Sequence, residues 1–197
     1  MLSHGRCRKL MDNVEVKIIE EYPVFDLEAF LEMSHETRVG GATLERLEQL
    51  WESWCQELSV RQIQIGKISY LAVWLPKSCE QEVERLWQNS ASDGFLVNNL
   101  AQFLCMSAVC NLLPEVESSG CAPSPRPTEN LRKALEELGL PYKSPTSSLL
   151  SLPYAVVTHY PFRGGCEICH LQDHCPKGQG RAEDASIVLP GFQVPES

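Results

Sequence analysis

Residues 62–75, which read QIQIGKISYLAVWL, constrain the fold more than any other stretch of the chain. Polar and apolar residues alternate from Gln62 to Ile65, and Gly66 occupies the first central position of the two-residue turn in Ile65-Gly66-Lys67-Ile68, as in type II′ turns. The pattern therefore predicts an antiparallel hairpin. Successive side chains of a strand point to opposite faces. In the second strand we therefore expect one face to carry Leu71, Val73 and Leu75, and the other face to carry Tyr70, Ala72 and Trp74.

Helix signals on both sides of this hairpin predict an α+β protein. We expect about five helices with a small antiparallel sheet and a C-terminal Cys-rich metal loop. Asp26 and Thr128 are typical N-cap residues, and Ser78 with Gln81 has the pattern of a capping box. The segment 95–113 is the most apolar of the chain, but polar residues interrupt it. We therefore interpret it as a buried central helix rather than a membrane span.

The chain divides into four segments that we expect to form one compact domain. Residues 1–113 comprise a helical body with an N-terminal strand and the hairpin. Residues 114–127 are rich in Pro, Ser and Gly, which predicts a linker. Residues 128–181 comprise a helix, a strand and the Cys-rich metal loop, and residues 182–197 form a tail.

The segment 159–175, HYPFRGGCEICHLQDHC, contains three of the nine cysteines and three of the five histidines, the densest group of such side chains in the chain. Cys166, Cys169 and Cys175 form a C-x2-C-x5-C array. Two thiolates separated by two residues can turn toward one metal, and a closed site needs four ligands. Pro176 follows the last cysteine, as in some iron–sulfur loops. The array therefore predicts a metal centre with three sulfur ligands and a fourth ligand from elsewhere.

His159 is the preferred fourth ligand because of its position. Six residues separate it from Cys166, so the run reads His-x6-Cys-x2-Cys-x5-Cys. This loop resembles the iron–sulfur loop of the endonuclease III and adenine glycosylase family, whose pattern is Cys-x6-Cys-x2-Cys-x5-Cys, with histidine in place of the first cysteine. The resemblance implies an iron–sulfur cluster, but the glycosylase activity is not implied, because no helix-hairpin-helix turn with its catalytic acid is present. Cys121, His170 and His174 are alternative fourth ligands.

The metal is either an iron–sulfur cluster or zinc. The cysteine spacing favours the cluster slightly, whereas the histidine content favours zinc. The string C-x-x-C-H is also the attachment motif of c-type haem, but haem attachment requires export and no signal peptide is recognisable. A redox dithiol at Cys166 and Cys169 is a further alternative, but it would leave Cys175 unexplained. The other thiols with ordinary surroundings are interpreted as small buried apolar side chains. They are Cys55, Cys79, Cys105, Cys110 and Cys121.

Charge and cysteine content restrict the function. The net charge of −9 argues against general nucleic-acid binding. Nine cysteines without a recognisable signal peptide indicate a reducing, cytoplasmic location, with Met1 and Met11 both candidate translation starts. The motifs G-x-S-x-G and H-E-x-x-H are absent, so no enzyme class is assigned.

We expect a cytoplasmic metal-binding protein without membrane association. Its metal is interpreted as structural, and the metal shapes a surface for a protein partner. A redox or electron-transfer protein that uses a C-terminal iron–sulfur cluster is the alternative. A nucleic-acid-processing protein is a third possibility that depends on the loop resemblance alone.

Overall fold

The computed structural model describes residues 7–11, 13–144 and 149–175, which form an α+β fold. Five strands form one antiparallel sheet in the order β1-β2-β3-β4-β5. The strands are β1 (Cys7–Met11), β2 (Val14–Ile18), β3 (Ser59–Ile65), β4 (Ile68–Trp74) and β5 (Ala155–His159). The described residues contain six α-helices. They are α1 (Leu27–Ser34), α2 (Gly41–Glu57), α3 (Lys77–Asn89), α4 (Ala91–Leu112), α5 (Pro114–Ser119) and α6 (Glu129–Glu137).

The predicted hairpin is confirmed as β3 and β4, the centre of the sheet. Ile65 pairs with Ile68 across the turn, and Gly66 has a φ of 57°, which glycine adopts without the steric cost that a side chain adds. The Gly66 N–H also donates to the Asn13 carbonyl at 3.2 Å. This bond ties the hairpin turn to the turn between β1 and β2.

Both faces of strand β4 are buried, and the alternation of its side chains explains how. The set that contains Leu71 and Val73 faces a large core built with helices α1 to α5. The set that contains Tyr70 and Trp74 faces a smaller core, which α6 covers with Leu131 and its neighbours. The predicted division of β4 into two sides is therefore confirmed, and the sheet is the middle layer of the fold.

Two of the predicted helix starts are confirmed by hydrogen bonds. The Asp26 carboxylate accepts from the Ala29 N–H at 3.0 Å at the start of α1. The Thr128 hydroxyl accepts from the Leu131 N–H at 3.4 Å at the start of α6. Each bond satisfies one of the amide donors that a helix leaves without an intrahelical partner.

The predicted capping box at Ser78 and Gln81 is wrong. Helix α3 already begins at Lys77, so Ser78 lies inside its first turn rather than at the N-cap. The Ser78 hydroxyl instead donates to the Glu57 carboxylate at 3.0 Å, which connects the start of α3 to the end of α2. The N-cap residue is Pro76, whose side chain offers no hydrogen bond.

Helix α4 is the central helix of the large core. It packs against α1, α2, α3 and α5 and against strands β4 and β5. Leu100, Leu104 and Ala108 lie on one face and are fully buried. Within the described residues α4 is the one helix whose length and composition would allow it to cross a membrane. Its packing matches the predicted buried central helix.

The first half of the segment predicted as a linker is helical. Pro114 begins α5, a position where the missing proline N–H costs nothing, and Val116 is buried in the large core. Tyr154, just before β5, belongs to the same core. The predicted tail at 182–197 lies outside the described residues.

Candidate metal centre

The C-terminal loop begins where β5 leaves the edge of the sheet. The Tyr160 N–H donates to the Ser69 carbonyl at 2.9 Å, one residue beyond the strand, and a cis peptide bond to Pro161 follows. The array cysteines then lie in and after two short 3-10 turns, Cys166–Ile168 and Gln172–His174.

Local turn hydrogen bonds set the spacing of the array. The Cys169 N–H donates to the Cys166 carbonyl at 3.1 Å, and the Cys175 N–H donates to the Gln172 carbonyl at 3.2 Å. None of the described side chains between residue 164 and Cys175 is buried. The loop therefore has no apolar core of its own.

Glycine is required just before Cys166. Gly164 has a φ of 109°, a conformation that residues with a Cβ rarely adopt, and a Cβ at this position would also displace the carboxylate of the Glu167 side chain. The same carboxylate accepts from the Gly165 N–H at 3.2 Å. The backbone thus wraps around the side chain of Glu167 and presents Cys166 at the surface.

Cys121 approaches the array from a different part of the chain. Gly120 ends α5 in the left-handed conformation, with a φ of 63°, and turns the chain toward the loop. The Ser119 hydroxyl donates to the Cys121 carbonyl at 3.0 Å across this turn. The position of Cys121 is therefore fixed by the end of a helix that packs on the large core.

Two further hydrogen bonds hold the residues after Cys121 between β5 and the array. The Thr158 hydroxyl, which is fully buried, donates to the Pro123 carbonyl at 2.9 Å. The His170 N–H donates to the Ser124 carbonyl at 2.8 Å. The first bond anchors this segment to the sheet, and the second connects it to the loop.

One cavity is bordered by Cys121 and by all three array cysteines, Cys166, Cys169 and Cys175. Its volume is about 170 Å³. Cys166 is exposed and the other three cysteines are half-buried. No three His, Cys, Asp or Glu side chains of the described residues are arranged to hold a single metal ion.

His159 does not line this cavity. Successive side chains of a strand point to opposite faces, and Thr158 is directed to Pro123, so His159 lies on the other face of the sheet. There its ring packs on Tyr70, with the ring centroids 5.4 Å apart. Its Nδ1 is buried without a hydrogen-bond partner in the described residues. Burial, and then the charge of Arg163, lower the pKa of this imidazole.

The other two predicted alternative ligands are the histidines within the array. His170 is exposed and is not among the described residues that line the cavity. The side chain of His174 lies outside the described part of the structure.

The remaining thiols with described side chains pack in the large core. Burial, followed by the charge of nearby groups, raises the pKa of Cys79 and of Cys105 to about 12 and that of Cys55 to about 11. Burial and the charge of Glu117 also raise the pKa of Cys110. These side chains therefore stay protonated at neutral pH and act as small packing groups.

Comparisons with known proteins do not place the chain in a family. No family model matches it, and neither the curated proteins nor the solved structures contain a match. The resemblance of residues 159–176 to a glycosylase iron–sulfur loop stays a prediction.

Proposed function

We propose that the chain binds an iron–sulfur cluster through Cys121, Cys166, Cys169 and Cys175. The observation that carries this proposal is that all four cysteines border one cavity, although Cys121 is distant from the others in sequence. Four cysteine ligands are the usual set for a [4Fe–4S] cluster. Cys121 replaces His159 as the proposed fourth ligand, because the imidazole of His159 lies on the opposite face of the sheet.

The size of the cavity favours a cluster over a single zinc ion. Zinc with four cysteines draws every sulfur to about 2.3 Å from one point. The cavity has a volume of about 170 Å³, whereas one water molecule needs roughly 10–15 Å³. A space of this size between the four cysteines accommodates a group of several atoms.

The proposed role of the cluster is to fasten the C-terminal loop to the body of the protein. The described side chains from residue 164 to Cys175 are not buried, and the His170 N–H bond to the Ser124 carbonyl joins the loop backbone to the segment after Cys121. Ligand binding from both segments would add folding free energy at this junction. Such a fixed loop would provide a defined surface for a protein partner.

Anaerobic purification, followed by iron, sulfide and zinc analysis and a visible spectrum, tests the proposal. We expect iron and sulfide with a brown colour. Cys121→Ser should lose the cluster as Cys169→Ser does, whereas His159→Gln should keep it. Cys110→Ser is the matched control, because Cys110 is a half-buried thiol that does not border the cavity.

Three results would count against this assignment. Stoichiometric zinc in a colourless protein would mean that the site is a structural zinc site and not a cluster. Cluster loss in His159→Gln but not in Cys121→Ser would restore histidine as the fourth ligand. A protein without metal, unchanged by Cys169→Ser, would exclude a metal centre in this loop.

Electron transfer is a second candidate function, and the exposure of Cys166 favours it. A ligand at the surface brings a cluster close to an approaching redox partner, and solvent exposure is one of the factors that set its potential. Reversible reduction and reoxidation of the purified protein would support this role. Loss of the cluster on the first reduction would favour the fastening role alone.

A further inference from the structure

A second concave surface lies beside helix α4, away from the four cysteines. It has a volume of about 490 Å³ and is bordered by the segment before α1, by α1 itself, and by α4 and α5. We call it the α4 groove. The residues that matter for its binding properties are Val24, Asp26, Phe103, Met106, Cys110 and Glu117.

The groove combines an exposed apolar rim with a half-buried apolar floor. Val24 is 84% exposed, and Tyr22, two residues earlier in the segment between β2 and α1, is 67% exposed. Phe103 and Met106 of α4 form the floor and are half-buried. Exposed apolar side chains next to a groove are typical of interaction surfaces, and methionine adapts to differently shaped ligands.

The charged side chains of the groove are all acidic. Asp26 lies on one side and Glu117 on the other, and no lysine or arginine is among the described residues that border the groove. Glu21 adds a third carboxylate at the rim, where it accepts from the Asn111 side chain at 2.9 Å. The carboxylate of Glu117 is close enough to Cys110 to contribute to the raised pKa of that thiol.

We propose that the α4 groove binds a segment of a partner protein in which a large apolar side chain is flanked by lysine or arginine. The apolar side chain would contact Phe103 and Met106, and the cations would face Asp26 and Glu117. A second copy of this chain is a poor occupant, because two molecules of net charge −9 repel each other. The proposal is independent of any metal in the C-terminal loop.

Selection from a random peptide library on the full-length, anaerobically purified protein tests this proposal and does not require the partner to be identified first. We expect the enriched peptides to share an apolar residue flanked by lysine or arginine. The dissociation constant of one synthetic peptide from this set is then measured at about 0.15 M salt, where exposed charges more than about 8 Å apart are largely screened.

Charge reversal within one helix provides the matched control. Glu117→Lys should weaken peptide binding about tenfold, whereas Glu115→Lys changes the same net charge on α5 outside the groove and should have little effect. Val24→Ser should also weaken binding, and because Val24 is exposed this change leaves the core intact. The proposal would be overturned if the selection enriched acidic peptides or no peptides at all. It would also be overturned if the two lysine variants had equal effects, or if Val24→Ser left the dissociation constant unchanged.

Discussion

His159 is a titratable residue whose protonation is coupled to folding. Its imidazole packs against Tyr70, and burial lowers its pKa below the ordinary value of 6.5. In the pH range between the lowered value and 6.5, the unfolded chain binds more protons than the folded protein. The stability that depends on the neutral imidazole is therefore fully present above about pH 6.5 and decreases as the pH falls below it.

His159→Gln should remove this part of the pH dependence. We expect the free energy of unfolding of the unmodified protein to fall between about pH 7 and pH 5 more steeply than that of the variant. Urea titrations at several pH values measure the free energy of unfolding of both proteins. Metal-free samples are used so that protonation of metal ligands does not contribute to the pH dependence. Equal slopes for the two proteins would mean that the buried imidazole does not contribute.

The metal loop also illustrates which part of a site a sequence can reveal. The three array cysteines are neighbours in the chain, so their spacing alone predicts that they can approach one another. The fourth position depends on the face of β5 to which each side chain points and on the path of the residues after α5. Because side chains alternate along a strand, the sequence predicts that Thr158 and His159 point to opposite faces of the sheet. Which of the two faces lies near Cys121 is known only from the hydrogen bond between Thr158 and Pro123.

At the scale of elements, α4 carries the greatest share of the large core, and Leu104→Ala tests this role. Leu104 is fully buried, so truncation should cost about 2–5 kcal/mol of unfolding free energy, because a cavity remains where the side chain packed. Gln102→Ala, on the exposed side of the same helix, should change stability by less than about 0.5 kcal/mol. Denaturant titrations measure both values, and similar effects of the two substitutions would contradict the assignment of α4 as a core helix.

The elements that the sequence predicts best are those whose signals are local. The hairpin follows from one glycine turn, and the sides of β4 follow from the rule that successive side chains of a strand point to opposite faces. Both predictions are confirmed. Helix α5 is not predicted, because its segment is rich in Pro, Ser and Gly. Its helical state depends on Pro114 at the first position and on the burial of Val116, a tertiary contact that composition does not reveal.

At the scale of the whole molecule, strand β5 connects the C-terminal loop, which carries three of the proposed ligands, to the fold. The chain reaches the sheet edge only after α6, pairs with β4, and then leaves again into a loop without buried side chains. None of the buried residues of the large core lies in that loop; Tyr160 and Phe162, at the start of the loop, pack against the core only as partly buried side chains. Binding of the proposed cluster should therefore control the order of the loop and of the segment after Cys121, and not the order of the core.

Removal of the proposed cluster by a chelator should thus have a local effect. We expect faster amide hydrogen exchange at the Cys169 and His170 N–H groups. The first donates to the Cys166 carbonyl within the loop, and the second donates to the Ser124 carbonyl at the junction. Amides of Leu100 and Leu104 in α4 should keep their protection, since their surroundings contain no proposed ligand. Cys169→Ser without chelator should reproduce the same pattern, and Cys110→Ser should not. Loss of protection throughout α4 would instead mean that the metal supports the entire fold, as in small metal-dependent domains.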